Sequence, residues 1–142
     1  MADTGINWGA LTHATFDVGT PFDEESIADE GDETSDEIDL DGYAACEVSV
    51  VATEPNTAGP DGDIVVYLLR SDNDPDSEGW QTIDDARQWA RINLDTQNTT
   101  RKTAFTVDPA SVSSFKVHIY NDTGVSIDVT VNYRLGQIPA AS

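Results

Sequence analysis

The sequence predicts an all-β protein: an antiparallel β-sandwich of about seven or eight strands, with jelly-roll connectivity as one option. Three observations carry this reading. From Ile38 onward, apolar and polar residues alternate with period two, as in strands that bury one face. No segment is predicted as a helix. The connections are rich in Gly, Pro, Asp and Asn, which favour tight turns. A chain of 142 residues is one domain, long enough to bury a core.

The first element is an arm. Residues 1–34 contain Ile6, Trp8, Leu11, Phe16, Val18, Phe22 and Ile27 among many acids. A purely disordered tail seldom carries a Trp and two Phe. The alternation at Ala14, Phe16 and Val18 suggests a short strand. An extended arm is expected, ordered by packing on the domain or on a neighbour. The sandwich itself is expected over residues 35–136, with a short C-terminal tail at 137–142.

Within the sandwich, the even positions Ile38, Leu40, Gly42, Ala44, Cys46, Val48, Val50 and Ala52 form one face of a half-buried strand, or of two strands joined by a kink at Gly42. Residues 56–63 read as a loop. Ile64 to Leu69 is apolar at both parities, as a central strand covered on both faces would be. Residues 71–79 form a second loop. Residues 80–94 are ambiguous: Ala86, Trp89, Ala90 and Leu94 fit a helical face, while Ala90, Ile92 and Leu94 fit a strand. The β context favours a strand over 87–94. Phe105 and Val107 alternate before Pro109. Phe115, Val117 and Ile119 are followed by Val125, Ile127, Val129, Val131 and Tyr133, which reads as a hairpin. Its odd positions share a face only if paired residue numbers sum to an even value. A three-residue loop, Asp122-Thr123-Gly124, satisfies this and pairs Ile119 with Ile127, Val117 with Val129 and Phe115 with Val131. It also places Gly at the left-handed third position.

The charge is distributed unevenly. The chain has 27 acids, 7 bases and a formal charge of −20. Its first 69 residues hold 17 acids and no Lys or Arg, and Asp17 to Asp41 alone contains 12 acids. Phosphate binding needs clustered Lys and Arg, so nucleic acid is not an expected partner. Anionic membrane is disfavoured for the same reason. The acidic stretch is either a solvated loop, or general acidity suited to high salt, or an arm that meets a basic surface on a partner. The N-terminus shows no basic and apolar leader pattern, so no secretory signal is expected.

Candidate chemistry is sparse, and neither an enzyme activity nor a cofactor is expected. Asp122-Thr123-Gly124 and Asp3-Thr4-Gly5 match the triplet of aspartic proteases, whose chemistry needs two aspartates about 3 Å apart sharing a proton. One triplet lies at the extreme N-terminus and the other in a turn where Asp and Gly are expected anyway. Asp72, Asp74 and Asp76 have the alternation of a calcium loop, but Ser77 and Ile83 stand where an EF-hand needs Gly and Glu. His13 and His118 have no Cys or His at ligand spacing. Cys46, the single cysteine, falls on a buried face and reads as a small core residue. Asn98 and Asn121 head glycosylation sequons. Gly59-Pro60-Asp61-Gly62 is a turn, not a phosphate loop. Trp80 and Trp89 raise sugar stacking, although Trp89 fits the core equally well.

About 100 residues, from Ser35 to Leu135, resemble a family of small β-sandwich virion proteins of tailed bacteriophages. The features run in order. Ser35-Asp36-Glu37-Ile38-Asp39-Leu40 with Tyr43 comes first. Gly62 to Leu69 follows, and then Arg70-Ser71-Asp72-Asn73-Asp74. Thr100 to Val107 precedes a Pro. Phe115 to Gly124 precedes the last strand. The arm is not covered, and the loops here are larger and more acidic. The resemblance implies a non-enzymatic capsid decoration or cement protein, or a head-fibre or tail accessory part. It further implies binding to the major capsid protein or other virion proteins, a homo-oligomer with a trimer favoured, and assembly in the host cytoplasm into the virion. The expected partner-interface anchors are Trp8, Leu11, Phe16 and Phe22. The alternative is a carbohydrate-binding adhesion module that uses Trp80, with calcium on Asp72, Asp74 and Asp76.

Overall fold

A computed structural model describes residues 5–17, 19–54, 61–70, 79–81, 86–94 and 100–138. Among them the chain forms thirteen strands and no helix. They are β1 (Asn7–Trp8), β2 (Thr12–His13), β3 (Thr15–Phe16), β4 (Thr20–Pro21), β5 (Glu25–Ile27), β6 (Asp32–Thr34), β7 (Ile38–Asp39), β8 (Ala45–Thr53), β9 (Gly62–Arg70), β10 (Arg87–Leu94), β11 (Thr100–Val107), β12 (Ser114–Asp122) and β13 (Ile127–Gln137). The number exceeds the expected seven or eight because the first 39 residues supply seven strands of two or three residues each. In that acid-rich stretch apolar residues are isolated, so each ladder is short. Turns with positive φ at Asp17, Gly19, Glu24 and Glu30 interrupt them.

The strands form a two-layer antiparallel sandwich. In one sheet β13 lies between β8 and the short strands β1, β2 and β5, and β11 pairs with the far side of β8. The other sheet runs β10, β9, β12, with β6 and β7 end to end on the free side of β12. Count β6 and β7 as one position and number the sandwich from β5 to β13. The first sheet then reads first, eighth, third, sixth, and the second reads second, seventh, fourth, fifth. That alternation between layers is the jelly roll, two Greek keys wound together.

The residue patterns explain most elements. Cys46, Val48, Val50 and Ala52 of β8 are all buried, as the even-position pattern requires. The kink at Gly42 is a change of sheet: β7 pairs with β12, whereas β8 pairs with β13 and β11. β9 buries Ile64, Val66 and Leu68, and also Val65 and Leu69 on its other face, so it is the central strand its composition implies. Residues 87–94 form the strand expected of them, with a bulge between Gln88 and Ala90. β6 and β7 are bridged by Ser35. Its N–H donates to the Val117 carbonyl at 2.8 Å, and its hydroxyl accepts the Val117 N–H at 2.9 Å. A side chain thus stands in for a missing backbone acceptor.

The expected hairpin between the last two strands does not form. β12 and β13 lie in opposite sheets, so Ile119 pairs with Val66 and Val129 with Ala52. Odd positions of both strands face the same core, but from opposite sides of it. Period two reports which face is buried and is silent on whether the neighbour sits beside the strand or across the core. Gly124 does adopt the left-handed backbone expected there, with φ 87°. The chain from Thr123 to Ser126 crosses the end of the sandwich.

Candidate interaction surfaces

The strands β1, β2 and β5 pair along the free edge of β13, and β6 along that of β12. β1 pairs Trp8 with Gly136, and Gly9 N–H donates to the Leu135 carbonyl at 2.8 Å. Ala14 and Phe22 alternate with Val131 in a closed set: Ala14 N–H to Val131 O, Phe22 N–H to Ala14 O and Val131 N–H to Phe22 O, at 2.7 to 2.9 Å. The intervening strands β3 and β4 pair with each other as a small sheet of their own. Asp36 secures it, since its carboxylate accepts the Thr15 hydroxyl at 3.0 Å and its N–H donates to the Thr15 carbonyl at 2.7 Å.

The four expected anchors therefore occupy different environments. Phe22 is 0% exposed and belongs to the sandwich core; this chain, not a partner, supplies its contacts. Phe16 is half-buried, its ring 5.2 Å from that of Phe22. Trp8 is half-buried on the outer face, with the Arg134 guanidinium carbon 4.3 Å from its ring centroid. Arg134 in turn lies 3.3 Å from the Glu47 carboxylate. Leu11 is 59% exposed. Ile6 is also exposed and sits with Trp8 over Gly136, where an added Cβ would overlap the Ile6 side chain and crowd the Trp8 ring. The sequence pattern alone did not reveal this Ile6–Trp8–Arg134 group. The lone glycine near the end of β13, across from a tryptophan, was its available signal.

Phe16 also forms one wall of an open cleft of about 580 Å³, lined by Asp17, Glu25, Asp32, Glu33 and Thr34. Burial, followed by the charges of Glu25, Asp32 and Asp17, pushes the Glu33 carboxyl up. Like charges are crowded here without a base among the lining residues, so a cation entering this cleft would be stabilised.

The remaining candidates resolve individually. Trp80 is half-buried, and the Lys116 ammonium lies 4.8 Å from its ring centroid, which covers one of the two faces a sugar could stack on. Trp89 packs edge-on against Phe105 at 5.3 Å. With Leu68, Arg70, Gln81, Val107 and Val112, Trp89 lines a mixed polar and apolar cavity of about 360 Å³. Asp72, Asp74 and Asp76, the Asp3-Thr4 pair and the Asn98-Thr99 pair lie outside the described residues. No cluster of three metal-ligating side chains occurs among the described residues. Cys46 is buried, and burial, followed by the Glu47 charge, pushes its thiol up to about 12, too high for a thiolate nucleophile. His118 is buried on β12, its Nδ1 2.6 Å from the Thr34 hydroxyl and its Nε2 3.3 Å from Asp32. Burial lowers its pKa, and Asp32 partly offsets the effect. The Asn121 sequon is closed to glycosylation in the folded chain because its side chain is fully buried.

No family model matches the chain, and no curated protein matches it. Solved structures do. A structure of infectious bursal disease virus, Gx strain, superposes with TM-score 0.54 at 12% identity, over 97% of this chain and 34% of that chain. The VP2 protein of the same virus, solved in derived T=1 particles as a D431N mutant, gives TM-score 0.53 at 13% identity, over 94% of this chain and 32% of that chain. The K3 cleaved adhesin domain of Lys-gingipain from Porphyromonas gingivalis w83 gives 0.50 at 9% identity, over 87% and 69%. What they share with this chain is the fold. The chain spans about a third of the length of the viral chains it matches.

Proposed function

We propose that this chain is a structural protein of a tailed-phage virion, a capsid decoration or cement protein that docks on the major capsid protein lattice and catalyses no reaction. The observation that carries the reading is the N-terminal strip. Strands β1 and β2 are pinned to β13, yet Ile6 and Leu11, the residues just before them, stay exposed, and Trp8 of β1 stacks with Arg134. Exposed apolar groups held on a rigid edge suit a docking surface. The adjoining acidic edge favours a basic site on the shell and disfavours DNA. The shared fold with a protein solved in viral particles supports this choice. The protein acts as a homo-oligomer, a trimer being favoured, so weak contacts multiply over the lattice.

Shells stripped of this protein, mixed with purified chain and pelleted, test the proposal. Wild-type chain co-sediments, and the double variant Ile6→Ser with Leu11→Ser loses at least tenfold in affinity while it stays folded. Wild-type binding by that variant would overturn the docking surface.

A second reading is a carbohydrate-binding adhesion module at a tail or head fibre. It is supported by the likeness in fold to an adhesin domain and by Trp80, whose side chain is only half-buried. Glycan-array binding that disappears in Trp80→Ala would favour it over shell docking.

A further inference from the structure

We propose that this chain binds a second copy of itself edge to edge, the β10–β11 edge of one copy against the β5–β6 edge and Phe16 cleft of the next. This deepens the homo-oligomer part of the reading above by naming its contact surfaces.

The topology puts opposite charges on opposite edges. β10 and β11 each end their sheet, pair on one side only among the described strands, and lie against each other across the sandwich. Their sequences contain Arg87, Arg91, Arg101 and Lys102, four of the seven bases, and no acid, with Asp95 in the connection between them. β5, β6 and β7 end the same two sheets on the other side. On these strands themselves the acids are Glu25, Asp32, Glu33 and Asp39, with no base, within a segment, residues 23–41, that holds eleven acids. The chain is therefore polar from edge to edge, although its net charge is strongly negative.

Three physical points select this contact. First, like edges repel: a β11–β11 pairing sets Arg101 and Lys102 against themselves, and an acidic edge against its twin is worse. The symmetric arrangement is disfavoured, and the contact becomes head to tail, which closes into a ring when the rotation permits. Second, the acidic edge has a receptor. The cleft of Phe16, Asp17, Glu25, Asp32 and Glu33 offers carboxylates to a cationic head and an aromatic wall to its stem. Lys102 is exposed on β11 and suits it. Arg91 is already held by Asp63 at 2.9 Å, and the contact leaves that pair intact. Third, the overall charge of −20 opposes association at long range. At about 0.15 M salt the Debye length is about 8 Å, so long-range repulsion is screened more than pairs in contact.

Sedimentation velocity of the full chain, without shells, tests this. At about 0.15 M salt the wild type should shift from monomer to oligomer with concentration, and about 1 M salt should weaken the association at least tenfold. Lys102→Glu alone, and the pair Glu25→Lys with Glu33→Lys, should each weaken it at least tenfold. A mixture of Arg101→Glu/Lys102→Glu chain with Glu25→Lys/Glu33→Lys chain should associate again, because each now offers what the other lacks. Circular dichroism verifies that each variant is folded, and Glu33→Gln provides a neutral substitute should the Lys pair fail to fold. A wild type that stays monomeric at every salt, an oligomer indifferent to both reversals, or reversed chains that do not recombine would overturn the contact. A monomer that still decorates shells would sink this contact and leave the docking reading intact. An oligomer that ignores shells would do the opposite.

Discussion

The carboxamide of Asn121 holds Thr123 by two bonds at once. Its Oδ1 accepts the Thr123 N–H at 3.0 Å and the Thr123 hydroxyl at 2.7 Å. Its Nδ2 donates to the carbonyls of Ile27 at 2.8 Å and Val125 at 2.7 Å. All four hydrogen-bonding positions of this fully buried side chain are filled, and they tie β5 to the crossing between the two sheets. Asn121→Ala leaves several buried partners unsatisfied and should cost about 2–4 kcal/mol. Asn121→Asp turns two donors into acceptors that face carbonyls, so it should be at least as damaging at neutral pH. Urea denaturation of both variants tests this; a loss under about 0.5 kcal/mol would contradict the assignment.

Phe22 and Leu11 should separate stability from docking. Phe22→Ala opens a cavity in the sandwich and should cost about 3–5 kcal/mol. Leu11→Ser, at an exposed position, should stay within about 0.5 kcal/mol of wild type. Thermal melting of the two variants reads the contrast directly.

Glu33 should destabilise the protein at neutral pH. Burial and the like charges of Glu25, Asp32 and Asp17 raise its folded pKa above 4.5, so the folded state holds that proton more tightly than the unfolded chain. The penalty is present above the folded pKa and disappears as pH falls below 4.5. Glu33→Gln should therefore stabilise the protein at pH 7 and have no effect near pH 4. Melting curves at the two pH values provide the comparison.

His118 works in the other direction. Burial lowers its folded pKa below 6.5, against the opposing pull of Asp32. The unfolded chain takes up the proton first as pH falls, so stability drops from about pH 6.5 downward until the folded imidazole protonates. His118→Gln should flatten that part of the stability profile. An unchanged slope between pH 6.5 and 5 would show that the imidazole contributes nothing to it.

Much of the architecture was legible because burial leaves a mark on side-chain chemistry. The even positions of β8, the doubly apolar β9 and the odd positions of β12 and β13 could each be read as facing a core. The strand over 87–94 could be chosen over a helix only from its β surroundings, since Ala90 serves either period. The short strands before Ile38 were less legible, because two- and three-residue ladders are too brief to show alternation. The candidate surface was legible in part. Leu11, among neutral neighbours, emerges exposed, but Phe22, followed directly by Asp23, Glu24 and Glu25, turns inward. Neighbouring residues point the wrong way for both; the hydrogen bonds that lock Phe22 between Ala14 and Val131 decide its burial.

By itself the sequence determined the fold class, the inward face of each long strand and the segregation of acid from base, because these follow from residue type and spacing. Tertiary structure alone decided that β12 and β13 sit in opposite layers, that the acid-rich N-terminal segment pairs along one edge of each sheet, and that acid and base end on opposite edges. The physical reason is that strands pair through backbone groups every residue carries. The choice of neighbour is made by the packing of the whole core, and no local stretch of side chains records it.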